Sequence, residues 1–311
     1  MNKTEKIFIA GHNGMVGSAT RKMLKTKGYE NIFFREHSKL ELKDNDAVLS
    51  YFRKNKFDVV INAAAKVGGI LTNQNNPYDF ISENITIQSN LIESSRLTGV
   101  NKFIFLGSSC AYPKFAKQPI KEECLLSGSL EPTNQYYAIA KIAGVMSCMA
   151  VKKQYGMNAI SLMPTNLYGK NDNFDLNTSH VLPALIRKFH DAKINNNSNV
   201  GLWGSGEPLR EFLHVKDLAS AIVFCLENNL QDNIYNIGYG EEFSIKKLAL
   251  LIQQIVGHTG TISWDKTKPD GTPRKLLDSS KILKSGWKAK ISLEEGIKEV
   301  YEYYKMERSL H

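Results

Sequence analysis

The sequence predicts an α/β chain, a doubly wound parallel sheet with a smaller mixed α/β domain beside it, on three observations. Short apolar runs alternate with longer helical patterns through the first half of the 311 residues. Those runs carry Val, Ile, Leu and Phe on both faces, as strands buried between two helical layers do. A turn with three glycines, Gly11-His12-Asn13-Gly14-Met15-Val16-Gly17, joins the first run to the first helical pattern.

In chain order, residues 6–10 read as a buried strand, followed by a helix through Met15, Val16, Met23 and Leu24. Further strands are expected at 31–35, 58–63, 102–107 and 158–163, with helices near 46–55, 77–97 and 137–155 between them. Past Gly169 the rhythm breaks. Residues 170–178 form a polar loop, 181–192 a helix and the Asn-rich 193–199 an exposed loop. A strand at 212–215, a helix at 216–228 and a strand at 233–237 follow. The remainder reads as a helix at 244–256, a short strand near 261–264 and a terminal helix at 292–306.

Composition narrows the function classes. Hydrophobic residues at 42% and charged residues at 23% exclude wholesale disorder. At about 150 residues per domain, the length allows roughly two domains. The four cysteines, Cys110, Cys124, Cys148 and Cys225, show no Cys-x-x-Cys or Cys/His zinc spacing, so no metal site and no disulfide framework is expected. No apolar run approaches the ~20 residues that span a bilayer, and the start carries no signal-peptide pattern. A soluble cytoplasmic protein is expected. The excess of 40 Lys+Arg over 31 Asp+Glu leaves nucleic acid and small phosphorylated ligands open as partners.

The glycine turn has a specific physical logic. Glycine is needed where a chain turns sharply, where backbone approaches a pyrophosphate and where a helix packs closely on a strand. The helix N-terminus behind the turn then offers its unpaired N–H groups to phosphate. This is a Rossmann-type arrangement. Tyr137-Ala138-Ile139-Ala140-Lys141 places a phenol and an ammonium four residues apart on one helix face. A neighbouring ammonium lowers a phenol's pKa from ~10 and suits it to proton transfer with a carbonyl oxygen. The strand before it ends in Gly107-Ser108-Ser109, at an edge where parallel sheets present ligand-binding residues. A second Tyr-x-x-x-Lys, Tyr301 to Lys305, lies in the terminal helix and is read as a solvated face.

The glycine turn with Ser108, Tyr137 and Lys141 resembles the extended short-chain dehydrogenase/reductase family. Later segments agree: REFLHVKD at 210–217, Asn236-Ile237-Gly238 and PDGTPRKLLD at 269–278. Within that family, AGHNGMVGSA, AAAKVGGI, FLGSSCAYP, EPTNQYYAIAKIAG, MPTNLYG, SHVLPALIRKFH and LWGSGEPLREFLHV are similar to the enzymes that epimerise and reduce GDP-4-keto-6-deoxymannose.

The resemblance implies residues 1–169 with about 211–240 as the dinucleotide-binding domain. Residues 170–210 with about 241–311 would bind the nucleotide sugar. It implies Ser108, Tyr137 and Lys141 as the reducing set, with Cys110 and His180 as the epimerising acid/base pair. A thiol of pKa ~8.5 and an imidazole of ~6.5 suit that exchange at C3 and C5, which a C4 ketone acidifies. Read alone, Cys110 is a small buried hydrophobe and His180 a loop or cap residue. Lys188, Trp203, Arg210 and Asp278 would hold GDP or sugar, with Ser108, Cys110 and Asn166; read alone, Trp203 is as readily domain core.

Cofactor contacts are implied for Gly11, Asn13, Gly14, Met15, Val16, Gly17, Arg35, His37, Ala64, Ala65, Leu106, Gly107, Lys141, Pro164, Asn166, Leu167 and His180. The family places arginines where this chain has Asn13 and His37, and Glu36 lies between Arg35 and His37. NADP(H) is expected, with NAD(H) left open. The partner implied is a GDP-4-keto-sugar, hexose or heptose, with no nucleic acid and no membrane. A C4 reductase served by a separate epimerase, a nucleotide-sugar 4-epimerase with bound NAD, and a non-enzymatic RNA-binding or redox-sensing descendant are the alternatives. A homodimer is expected through the helices at 77–97 and 137–155, whose apolar residues Ile81, Ile85, Ile92, Ile142, Met146 and Met149 read equally as dimer face or as intrachain core.

Overall fold

A computed structural model describes residues 1–268 and 270–309; Pro269, which opens the segment quoted through Asp278, lies outside the described residues. The first half runs β1 (Ile7–Ala10), α1 (Met15–Thr26), β2 (Ile32–Phe33), α2 (Asn45–Asn55), β3 (Val59–Asn62), α3 (Ile70–Asn75), α4 (Pro77–Thr98), β4 (Lys102–Leu106), α5 (Gln135–Tyr155) and β5 (Asn158–Pro164). It continues through β6 (Asn166–Tyr168), α6 (Val181–Ile194), β7 (Asn199–Trp203), β8 (Leu209–His214), α7 (Val215–Glu227) and β9 (Ile234–Ile237). The chain ends with β10 (Glu242–Ser244), α8 (Ile245–Val256), β11 (Thr261–Asp265), β12 (Arg274–Lys275), α9 (Ser280–Lys284) and α10 (Leu293–Ser309).

Six strands form one parallel sheet in the order β2-β1-β3-β4-β5-β9. Strand side chains alternate faces, and β1 shows the result. Phe8 enters one apolar cluster with Phe52, Leu91, Phe103, Phe105 and Val145. Ile7 and Ile9 enter the other with Leu24, Ile104, Leu218, Ile222 and Trp287. Both faces are therefore covered by helices, as the doubly apolar runs require. A third cluster, around Phe189, Leu202, Ile252 and Ile297, unites α6, β7, α8 and α10. There β8 pairs with β10, β12 and β6, and β11 pairs with β7.

The helices of the first half match the expected spans within two residues. Several other readings need correction. The second strand shrinks to Ile32–Phe33, because Phe34 already turns to stack on the buried His12 ring. The strand expected at 212–215 begins at Leu209 and ends at His214, whose ring accepts from the Lys216 amide and caps α7. The Asn-rich loop is shorter, since α6 runs to Ile194 and Asn199 already pairs with Thr261. The short α3 and α9, and strands β6, β7, β10 and β12, were not expected. Tyr301 is buried and hydrogen-bonds His190 at 3.2 Å, so only Lys305 of that second pair lies on a solvated face. Ile92 and Ile142 belong to the intrachain core, while Met146 remains 41% exposed. No described helix is long and apolar enough to cross a membrane.

Candidate active site

All six strands of the parallel sheet point the same way, so the segments leaving their carboxyl ends converge on one edge. Gly11 leaves β1 at φ +78°, and a Cβ there would lie 2.7 Å from the Ala63 carbonyl and the Ala64 amide nitrogen. At Gly17 a Cβ would lie 2.7 Å from the Gly11 carbonyl carbon and the His12 Cα, and closer still to the Gly11 oxygen. Gly14, at the start of α1, has no side-chain cap below it. The first amides of α1 therefore face the edge without a protein side chain spent on them. Met15 and Val16 belong to the turn itself, and Ala64 and Ala65 follow β3, where the chain passes against Gly11. Gly107 leaves β4 where a Cβ would collide with the Met163 sulfur.

Ser108 opens a single 3₁₀ turn, Ser109–Ala111, its Oγ accepting from the Cys110 amide at 3.2 Å. Tyr137 rises from the first turn of α5 to the same place, its ring edge-on to Phe80. Lys141, one turn later, is buried, and its ammonium donates to the Leu106 carbonyl at 2.7 Å. It lies 5.7 Å from the Tyr137 ring centre. Here the sequence expectation reverses. Burial, then the neighbouring Cys110, push the Tyr137 phenol above its ordinary value, with Ser108 pulling the other way. Burial brings Lys141 down to about 8. The phenol is thus a neutral donor at pH 7.

The Cys110 sulfur receives Asn134 Nδ2 at 3.3 Å and Lys275 Nζ at 3.7 Å. Arg210 stands near enough for its charge to act on that sulfur. Its own guanidinium is largely buried and donates to the Leu209 carbonyl. His180 ends the loop before α6 as its N-cap residue, with no side-chain cap hydrogen bond. Its ring is solvent-accessible, yet crowding by protein holds the imidazole below its ordinary pKa. Ser108, Cys110, Tyr137 and Lys141 are brought together; His180 makes no hydrogen bond to any of them among the described residues.

The outer rim comes from the second layer. Trp203 is 54% exposed, so it is not core, and Lys188 and Lys268 stand 5.8 and 5.7 Å from its ring. Lys188 also donates to the Gly201 carbonyl. Asp278 lies apart from this group: its carboxylate accepts from the Ser280 amide at α9, among the charges of Lys121 and Lys284. The carboxylates whose charge reaches Arg210 are Glu131 and Asp270, the latter accepting from the Ser205 amide and hydroxyl, both at 2.7 Å. Between rim and sheet sits Glu211, fully buried, taking the amides of Gly240 and Leu277 on its carboxylate. Its backbone carbonyl receives Asn166 Nδ2 and Thr165 Oγ1, which tie the Pro164–Leu167 segment to β8.

At the end of β2 the expected cations face elsewhere. Arg35 lies over the Tyr51 ring at 5.0 Å, and His37 pairs with Glu41 at 3.0 Å. Glu36 instead reaches the glycine turn, accepting from His12 Nε2 at 3.2 Å and Asn13 Nδ2 at 2.8 Å.

The profile of the NAD dependent epimerase/dehydratase family matches residues 7–238, from β1 to just past β9. The chain belongs to the NAD dependent epimerase/dehydratase family. It is similar to GDP-L-fucose synthase 1 of Arabidopsis thaliana, 54% identical over 97% of this chain and 94% of that one. It is also similar to GDP-L-fucose synthase of Escherichia coli K12, 48% identical over 96% of each chain. Among solved structures it resembles MlghC, a GDP-mannoheptose C4 reductase from Campylobacter jejuni with NADP bound. That match has a TM-score of 0.90 and 37% identity over 98% of this chain and 99% of that one. In this epimerase/dehydratase chain, sequence reasoning did not single out Asn134, Lys275 or Asp270. All three lie inside segments quoted for the resemblance, and polar residues there were the available signal.

Proposed function

We propose that this chain epimerises a GDP-4-keto-sugar at C3 and C5 and reduces it at C4 with NADPH, taking GDP-4-keto-6-deoxymannose to GDP-L-fucose or a close analogue. The observation that carries this reading is the Cys110 sulfur, set beside the Tyr137 phenol and held by Asn134 and Lys275. Reduction of a ketone needs one proton donor, and Tyr137 supplies it. A second proton-transfer group an arm's length away serves carbon acidity next to that ketone.

The glycine turn fits the cofactor: Gly11 and Gly17 stand where a methyl would strike backbone, and α1 starts uncapped at Gly14. NADP(H), when bound, supplies the hydride. Ser108 and Tyr137 hold the C4 oxygen through the enediolates, with Cys110 and His180 moving protons on opposite faces of C3 and C5. Tyr137, neutral at pH 7, then protonates the C4 oxygen, and Lys141 holds the nicotinamide ribose. Lys188, Trp203, Arg210 and Asp270 grip GDP and sugar from the segments 170–210 and 241–311, while the first 169 residues with 211–240 hold the cofactor. We place the enzyme in the cytoplasm as a homodimer through the exposed stripe of Tyr136, Ile139 and Met146 on α5.

A second reading, C4 reduction alone, has one observation in its favour: the likeness over nearly the whole chain to a GDP-mannoheptose C4 reductase. One experiment separates the two. The chain is incubated with GDP-4-keto-6-deoxymannose and with its heptose analogue, each with NADPH in heavy water. Cofactor oxidation reports reduction, and deuterium at C3 and C5 reports epimerisation. Cys110→Ser is expected to stop deuterium uptake; normal uptake in that variant would sink the assignment of Cys110.

A further inference from the structure

We propose that Glu36 opens the cofactor site of this chain to NAD(H) beside NADP(H), by accepting a hydrogen bond from the 2′-hydroxyl of the adenosine ribose. The inference rests on reading the glycine turn as the cofactor cradle. In such sheets an acidic side chain about twenty residues beyond the turn, at the end of the second strand, takes the ribose hydroxyl, whereas a cation there takes a 2′-phosphate. Glu36 occupies that position, and the structure shows how it is held. His12, buried and stacked on Phe34, donates to one carboxylate oxygen, and Asn13 donates to the other. Both donors belong to the glycine turn itself, so the carboxylate is fastened to the cradle. A carboxylate has about four acceptor positions, which leaves room for a further donor, and the Glu36 side chain is 57% exposed. The two hydrogen bonds hold its pKa below the ordinary value, so it is ionised at neutral pH.

The cations that would favour a 2′-phosphate are turned away or only nearby. Arg35 lies on the Tyr51 ring and donates to the Phe34 carbonyl; His37 pairs with Glu41. Arg21 is the guanidinium closest to the carboxylate in effect, lying 4.9 Å from the Phe34 ring. A 2′-phosphate meets Arg21 and Glu36 together, attraction against repulsion. A 2′-hydroxyl meets an acceptor and no penalty. The balance removes the strong preference for NADPH that a cation-lined pocket would impose.

The test is a fluorescence titration of NADH and NADPH against the intact chain, with no sugar present. The two dissociation constants are expected to agree within about tenfold, roughly the weight of one charge-assisted hydrogen bond. Glu36→Gln should shift the ratio toward NADPH by at least about threefold, and Asn13→Arg, which keeps Glu36 and adds a cation, should shift it the same way. A wild-type preference for NADPH above about tenfold, or a shift below about threefold in whichever variant folds, overturns the proposal. Failure of both nucleotides to bind overturns it together with the reading of the cradle, whereas a strict NADPH preference leaves that reading standing.

Discussion

Two glycines of the same turn are expected to fail in different ways when replaced by alanine. At Gly17 the new methyl carbon would lie 2.7 Å from two backbone carbons, Gly11 C and His12 Cα. Carbon atoms pack best about 3.5–4.0 Å apart, so the turn must retreat by roughly 1 Å against the β3 segment behind it. Overpacking of this kind costs about 1–3 kcal/mol, and here the obstacle is backbone, which cannot change rotamer. Alanine recovers about 1 kcal/mol of helix propensity inside α1. Because the contacts are to backbone, the cost lies at the upper end of that range, and the expected net loss for Gly17→Ala is about 2 kcal/mol. At Gly14 the methyl would meet only the Gly11 oxygen, at 3.5 Å, an ordinary contact at an ordinary φ of −69°. Gly14→Ala should keep its stability within about 0.5 kcal/mol and lose cofactor affinity at least about tenfold, because the methyl stands over the amides that approach the pyrophosphate. Urea denaturation followed by circular dichroism reads the first effect, and NADPH titration reads the second. Equal urea midpoints for Gly17→Ala and wild type would refute the steric argument. A Gly14→Ala protein as unstable as Gly17→Ala would refute the division of labour.

Tyr137→Phe should lower cofactor oxidation by about 10²–10⁴-fold while the protein still binds NADPH; a loss under tenfold in stopped-flow absorbance would remove Tyr137 as the proton donor. Lys141, brought down to about 8 by burial, should lose its charge as pH rises through that value, so reduction falls above about pH 8. Lys141→Arg, charged throughout, should abolish that fall, and identical profiles would contradict the assignment. Asp172 has a buried, unpartnered Oδ2, and burial raises its carboxyl from 3.8 to about 7. The folded state then binds a proton that the unfolded state releases, so this contribution is full below about pH 4 and is lost as pH rises through about 7. Asp172→Asn should remove that dependence and gain on the order of a few kcal/mol at pH 8; parallel stability curves for variant and wild type would exclude it. Light scattering at micromolar concentration should give twice the monomer mass, and Met146→Glu should halve it.

The parallel sheet was legible because its strands are apolar on both faces and its helices long and periodic. Phe8 between Ile7 and Ile9 already implies two cores. The second layer was harder. Its strands β6, β10 and β12 are two or three residues long, too short for any period to register, and exist because β8 offers them partners. Trp203 shows the same limit: its strand was not expected, the ring read as readily as core as a ligand contact, and only the tertiary arrangement leaves it exposed. Ser108, Tyr137 and Lys141 followed from spacing and a sheet edge. The phenol's pKa did not, since i, i+4 spacing says nothing of burial or of the Leu106 carbonyl that takes the ammonium. Asp278 and Asp270 stand eight residues apart in one quoted segment, and nothing in a linear string tells which of them faces Arg210.

The strand order carries a consequence for how the molecule is made. β9 is the outermost strand beside β5, yet residues 165–233 separate them, and β6, α6, β7, β8 and α7 all lie in that interval. On the ribosome the first five strands emerge with the β5 edge unpaired, and it stays so until the chain has grown past Ile237. Parallel pairing across such a separation is slow, and an open apolar edge is a template for the wrong partner. Nascent chains halted shortly before residue 234 should therefore be the chaperone-bound, protease-sensitive species, and those released after 240 the first to resist cleavage at β5.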